Sequence, residues 1–109
     1  MAEGVGTSAD WPQILQLYTV LLTMEPTPVV RVNLAVALAE TGNLAAALAL
    51  LNDLRAELAD FQPFHAALAA VLAKSGDKAG AQQAYSVAIK LASNDNDRLF
   101  LAGQARRLV

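Results

Sequence analysis

His65 is the only histidine in this chain, and there is no cysteine. Metal ions in proteins are held by several ligands, and a catalytic nucleophile needs a base within hydrogen-bond reach, so a lone histidine meets neither requirement. Asp53, Glu57 and Asp60 are spaced to lie on one face and the end of a single helix. With no catalytic partner beside them, they read as a solvated acidic face and not as an acid–base pair. Thr41-Gly42-Asn43 and Ser75-Gly76-Asp77 contain the small residues that phosphate loops use. Neither follows a strand, and neither is followed by the lysine pattern such a loop requires. Arg98, Arg106 and Arg107 form a weak basic cluster beside Asp95 and Asp97, which suits helix capping and surface ion pairs better than phosphate contacts. The expectation is therefore no enzyme, no metal and no cofactor, with His65 serving to pack.

Composition points the same way. The chain has 109 residues, 55% of them hydrophobic but only 6% aromatic, so alanine, leucine and valine must do the packing. That mix favours helices held close by small side chains. A formal net charge of −2 supplies no general attraction to nucleic acid. Absence of cysteine removes disulfides and leaves the redox compartment open. Met1 to Ala9 has no signal-peptide pattern, and the longest apolar run, Leu44 to Leu51, is far short of the ~20 residues a membrane span needs. A cytoplasmic location is expected, with no membrane partner.

The elements that would position any site are set by a repeat. Shifting the sequence by 34 positions carries Leu34, Ala35, Leu38, Ala39, Gly42 and Ala47 onto Leu68, Ala69, Leu72, Ala73, Gly76 and Ala81. Thr41 meets Ser75, Asn43 meets Asp77, and Leu51 meets Tyr85. Glycines and spaced leucines keep register along with the alanines, so this is more than a bias of composition. The period and the residue order are those of the tetratricopeptide helix–turn–helix hairpin. Ala35, Ala47, Ala69 and Ala81 would sit where helices cross closely. Gly42 and Gly76 would end the first helix of each hairpin, where a left-handed residue is needed. The expected fold is all-α, a tetratricopeptide-like hairpin stack of about six antiparallel helices forming a fragment of a right-handed α-solenoid.

In chain order, residues 1–9 read as a flexible tail and 10–109 as one domain. Within it, 10–27 carries an N-terminal helix capped by Asp10, with Ile14, Leu17, Tyr18, Leu21 and Leu22 as its apolar stripe. This helix looks like the second half of a hairpin whose first half is missing or altered. Residues 28–61 form repeat one, with helices from about Val29 to Thr41 and from Asn43, a candidate cap, to Leu58 or Ala59. Residues 62–95 form repeat two, with helices from Pro63 to Ser75 and from the Asp77 cap to about Ala92. Residues 96–109 form a C-terminal capping helix, with Arg106 and Arg107 in its last turn.

In folds of this kind the first helix of each repeat lines the concave side. That places Val29, Val32, Asn33, Val36 and Glu40 on it from repeat one, and Pro63, Ala66, Ala67, Ala70 and Lys74 from repeat two. The face is apolar apart from Asn33, Glu40 and Lys74, and an apolar patch of this kind marks a protein contact. Val29, Val32, Asn33, Val36, Glu40, Ala66, Ala70 and Lys74 are the candidate protein-binding residues. The same face could instead be buried between two copies of the chain.

A more specific resemblance rests on particular residues. Trp11-Pro12-Gln13-Ile14 with Leu17-Tyr18, the block Pro26-Thr27-Pro28-Val29-Val30-Arg31-Val32-Asn33, Phe64-His65-Ala66-Ala67, Ala84-Tyr85, and Asn94-Asp95 with Arg98, Phe100 and Leu101 all contribute. Together they resemble the C-terminal tetratricopeptide-like region of extracytoplasmic-function sigma factors of bacterial RNA polymerase. The likeness runs from Asp10 to Leu108 and departs at Leu34, where that family usually has arginine. It implies a non-enzymatic interaction or regulatory domain in transcription, whose partners are sigma-factor domains, RNA polymerase or a regulator. The alternative is a stand-alone adaptor or homodimerising scaffold unrelated to transcription. The promoter-reading and polymerase-binding helices of that family have no counterpart in this sequence.

Overall fold

The computed structural model describes residues 10–108, so the tail expected at 1–9 lies outside the described residues. Six helices follow one another among them: α1 (Trp11–Met24), α2 (Pro28–Glu40), α3 (Leu44–Leu54), α4 (Gln62–Lys74), α5 (Lys78–Leu91) and α6 (Asp95–Arg106). There is no strand among the described residues. The architecture is an all-α, tetratricopeptide-like stack. α2 pairs with α3 and α4 with α5; α1 lies on α2, α4 touches both α2 and α3, and α6 lies on α5.

Short polar residues start most of the helices. Asp10 Oδ1 accepts from the Gln13 amide at 3.2 Å, Thr27 Oγ1 from Val30 at 3.2 Å, Asp77 Oδ1 from Gly80 at 2.9 Å and Asn94 Oδ1 from Asp97 at 2.8 Å. Each satisfies an amide that the first turn leaves without a partner. Asn43 stands at the same position of α3 but makes no side-chain capping bond. Only its carbonyl serves, accepting from the Ala47 amide at 3.0 Å.

The repeat is visible in the hydrogen bonds of the two hairpin turns. Gly42 has φ +96° and Gly76 φ +91°. Around Gly42 the Asn43 amide donates back to the Leu38 carbonyl at 2.8 Å, and around Gly76 the Asp77 amide donates to the Leu72 carbonyl at 3.0 Å. The Thr41 and Ser75 hydroxyls donate to those same two carbonyls, at 2.9 and 2.8 Å. This is the glycine-terminated helix end in which the backbone doubles back to satisfy the last carbonyls.

Alanines at 35, 47, 69, 81 and 88 have no exposed surface. They let the helix axes approach closely, and Phe64, Leu51, Leu54 and Val71 fill the spaces left between helices.

The exit from the first repeat differs from expectation. α3 ends at Leu54 and not at Leu58 or Ala59, and a series of turns carries the chain to Asp60. The Arg55 amide reaches only three residues back, to Asn52, at 3.3 Å. The Ala59 carbonyl would ordinarily be taken by the amide four residues on, but that residue is Pro63, which has no N–H. His65 Nε2 takes its place at 2.7 Å from the Ala59 oxygen. A carbonyl only accepts, so this contact puts the hydrogen on Nε2.

Candidate protein-binding site

The face named from the sequence lies on α2 and α4. The structure gives its eight residues unequal roles. Val29 is 48% exposed, and Glu40, Ala70 and Lys74 are also exposed. Asn33, Val36 and Ala66 are half-buried, and Val36 and Ala66 pack against the core. Val32 is a correction. At 4% exposure it belongs to the core, so it presents nothing to a partner. The reason is geometric: α2 packs on α1, α3 and α4, and little of its circumference is left free.

Glu40 and Lys74 are brought together. Their charged groups are 3.3 Å apart, joining the last turn of α2 to the last turn of α4. Both side chains keep contact with water, so the pair is worth about 0–1 kcal/mol at most. Two of the three polar groups on the face thereby neutralise each other. Asn33 alone keeps an uncharged hydrogen-bonding side chain among Val29, Val36, Ala66 and Ala70. The face can bury apolar surface and orient a partner through one amide.

His65 is a core residue. It is buried, its ring stands edge-on to Phe64 with centroids 5.0 Å apart, and its Nε2 is held by the Ala59 carbonyl. Among the described residues no group of three or more histidine, cysteine, aspartate or glutamate side chains is placed to hold a metal ion. No described helix is long and apolar enough to cross a membrane. Tyr85 lies in the core, and burial pushes its phenol above the ordinary value of 10.0.

Two features escaped the sequence reading. An open groove of about 430 Å³ lies between α4 and α5, lined by Arg55, His65, Leu72 and Asp77 among others. Its lining comes from α4, α5 and the turn residue Arg55, so no local pattern announces it. Large apolar side chains are also exposed at both ends of the stack: Leu17, Val20 and Met24 on α1, and Leu99 and Phe100 on α6. For α1 the signal was present, since its apolar stripe reads as the second half of a hairpin.

The comparisons with known proteins follow this geometry. No curated protein and no solved structure is significantly similar to the chain. The tetratricopeptide-repeat family model matches residues 28–53, which is α2 and nearly all of α3. Over that first hairpin the chain is similar to a tetratricopeptide repeat.

Proposed function

We propose that this chain is a protein-interaction module of bacterial transcription, one domain with repeats at 28–61 and 62–95. In this reading it is the regulatory C-terminal region of an extracytoplasmic-function sigma factor. It acts without catalysis in the cytoplasm, by binding a helix from the sigma factor's own domains, from RNA polymerase or from a regulator. Repeats of this kind carry protein contacts, and the match over residues 28–53 supports that coarser part. The observation that carries the choice of site is the Glu40–Lys74 pair at 3.3 Å. By neutralising its own charges, the face favours an apolar helix over a charged peptide. The proline-rich entry to α2 with Asn33, and the Phe64-His65 pair of α4, support the sigma-factor part.

The test is capture of purified RNA polymerase core and of purified sigma-factor helical regions on the immobilised chain. Val29→Glu and Ala70→Arg, both at exposed positions, serve as controls. Retention of either partner, lost in both variants while circular dichroism stays unchanged, is the expected result. Failure of both partners to bind would sink the transcription reading and leave a general adaptor.

A further inference from the structure

The groove between α4 and α5 carries opposite charges at its two ends. Arg55 follows directly on α3, ahead of the turns that lead into α4, and so stands at the His65 end of the groove. Asp77 caps α5 just after α4 has ended, and so stands at the Leu72 end. Between His65 and Leu72 the helix rises by roughly 10 Å. That interval is apolar, lined by the nearly buried Leu68 and Ala84. Among the described residues the ion pairs are Glu40–Lys74 and Asp95–Arg98, so Arg55 and Asp77 do not neutralise each other as the two charges on the concave face do. Helical spacing sets His65, Leu68 and Leu72 on the opposite side of α4 from Ala66, Ala70 and Lys74, which separates the groove from that face.

Both charges are held in place. Arg55 Nη2 donates to the Asn52 side-chain oxygen at 2.8 Å, which leaves other guanidinium N–H groups for an acceptor. Asp77 Oδ1 accepts from the Gly80 amide at 2.9 Å, which leaves Oδ2. Glycine permits this placement, since a Cβ at Gly80 would come to 2.5 Å from Oδ2. The first repeat is built differently. A shift of 34 positions sets Asn43, Ala46 and Leu50 where the second repeat has Asp77, Gly80 and Ala84. There Asn43 makes no side-chain capping bond, and Leu50 packs against the core at the position where the shorter Ala84 lines the groove.

We propose that this groove binds an unblocked tripeptide, lying extended along α4 with its carboxylate on Arg55 and its ammonium on Asp77. Length selects this class. Three extended residues span at most about 10–11 Å, which matches the interval between the two ends. A single amino acid carries the same two charges too close together to reach both. The volume of about 430 Å³ lies within the range of small-ligand sites. A guanidinium suits a carboxylate because it offers paired N–H groups in one plane. The apolar stretch between the charges takes the middle side chain, which favours valine or leucine there over a charged residue.

Titration of the isotope-labelled 109-residue chain with the peptide Ala-Val-Ala, followed by amide NMR shifts, tests this. Saturable shifts at Leu72, Gly80 and Ala84 are expected at millimolar peptide, with Ala66 and Ala70 unmoved. The N-acetylated and the C-amidated peptide each lack one charge and should bind about two- to fivefold more weakly. Arg55→Gln and Asp77→Asn should each weaken binding by about the same factor. Asparagine remains a competent helix cap, so Asp77→Asn removes the charge without removing the cap. Ala84→Leu, which gives the second repeat the residue of the first, should abolish the shifts while circular dichroism stays unchanged. Absence of any saturable shift in the groove would overturn the proposal. So would equal binding of the peptide blocked at both ends, which would show a contact that ignores charge. The readout uses only the purified chain and a peptide, so it stands or falls independently of polymerase binding.

Discussion

Replacing His65 with phenylalanine should destabilise the fold by about 1–2 kcal/mol, through a single lost hydrogen bond. The Ala59 carbonyl receives a hydrogen from His65 Nε2 at 2.7 Å, and Pro63 supplies no amide that could stand in. Phenylalanine nearly preserves the ring and its edge contact with Phe64, so the variant isolates the donor from the packing. Leaving a buried acceptor unpaired costs about 1–3 kcal/mol. This carbonyl is only partly buried, which places the effect in the lower half of that range. For a domain of this size, each kcal/mol lowers the melting temperature by about 4–8 °C. Urea unfolding monitored by circular dichroism measures the loss, with an unchanged slope showing that the denatured state is not altered. Arg98→Met is the internal control. It removes the equivalent bond to the Ala92 carbonyl, but the Arg98 side chain is 46% exposed, so water can replace it and the cost should stay below about 1 kcal/mol. Equal and negligible losses at both positions would show that solvent serves the Ala59 carbonyl, and the account of the repeat exit would be wrong.

The turn glycines are expected to resist substitution. Gly76→Ala and Gly42→Ala should each cost about 1–2 kcal/mol through backbone strain alone, since a Cβ there meets no neighbouring atom; a loss near zero in thermal melts would refute the strain argument. Ala69→Leu should overpack the α4–α5 crossing by about 1–3 kcal/mol, whereas Ala70→Leu, one residue away and exposed, should be nearly neutral in the same melts. The raised Tyr85 phenol gives a pH dependence of definite sign. The unfolded chain releases this proton first, so the contribution is intact below the ordinary phenol value and is lost as pH rises through the folded one. Urea midpoints between about pH 9 and pH 11 should therefore fall less steeply in Tyr85→Phe than in the wild type. Equal slopes would assign the alkaline loss to other groups.

Much of the scaffold was legible because it depends on local chemistry at fixed spacing. Gly42 and Gly76 announce left-handed helix ends by being glycine, and Asp10 and Asp77 announce helix starts by their short oxygen-bearing side chains, whereas Asn43 looks the same in the sequence and makes no side-chain capping bond. The zero exposure of Ala35, Ala47, Ala69 and Ala81 follows from the same pattern, as only small side chains suit a close crossing. The site was less legible. A period assigns residues to a face but does not say how much of that face its neighbours cover. Val32 and Val29 look equivalent in the sequence, yet one is in the core and the other is half in water. Glu40 and Lys74 look like two separate recognition charges until the stack brings their helix ends together.

The sequence by itself determined the order of the helices, the Asp10 and Asp77 caps, the two glycine turns and the hairpin repeat, because those are governed by residues within a few positions of one another. The structure alone placed the end of α3 at Leu54, ahead of the turns that lead to Asp60. It also decided which charges cancel and which apolar side chains remain at the ends of the stack. Those outcomes belong to contacts between helices, and the spacing within any one helix does not contain them.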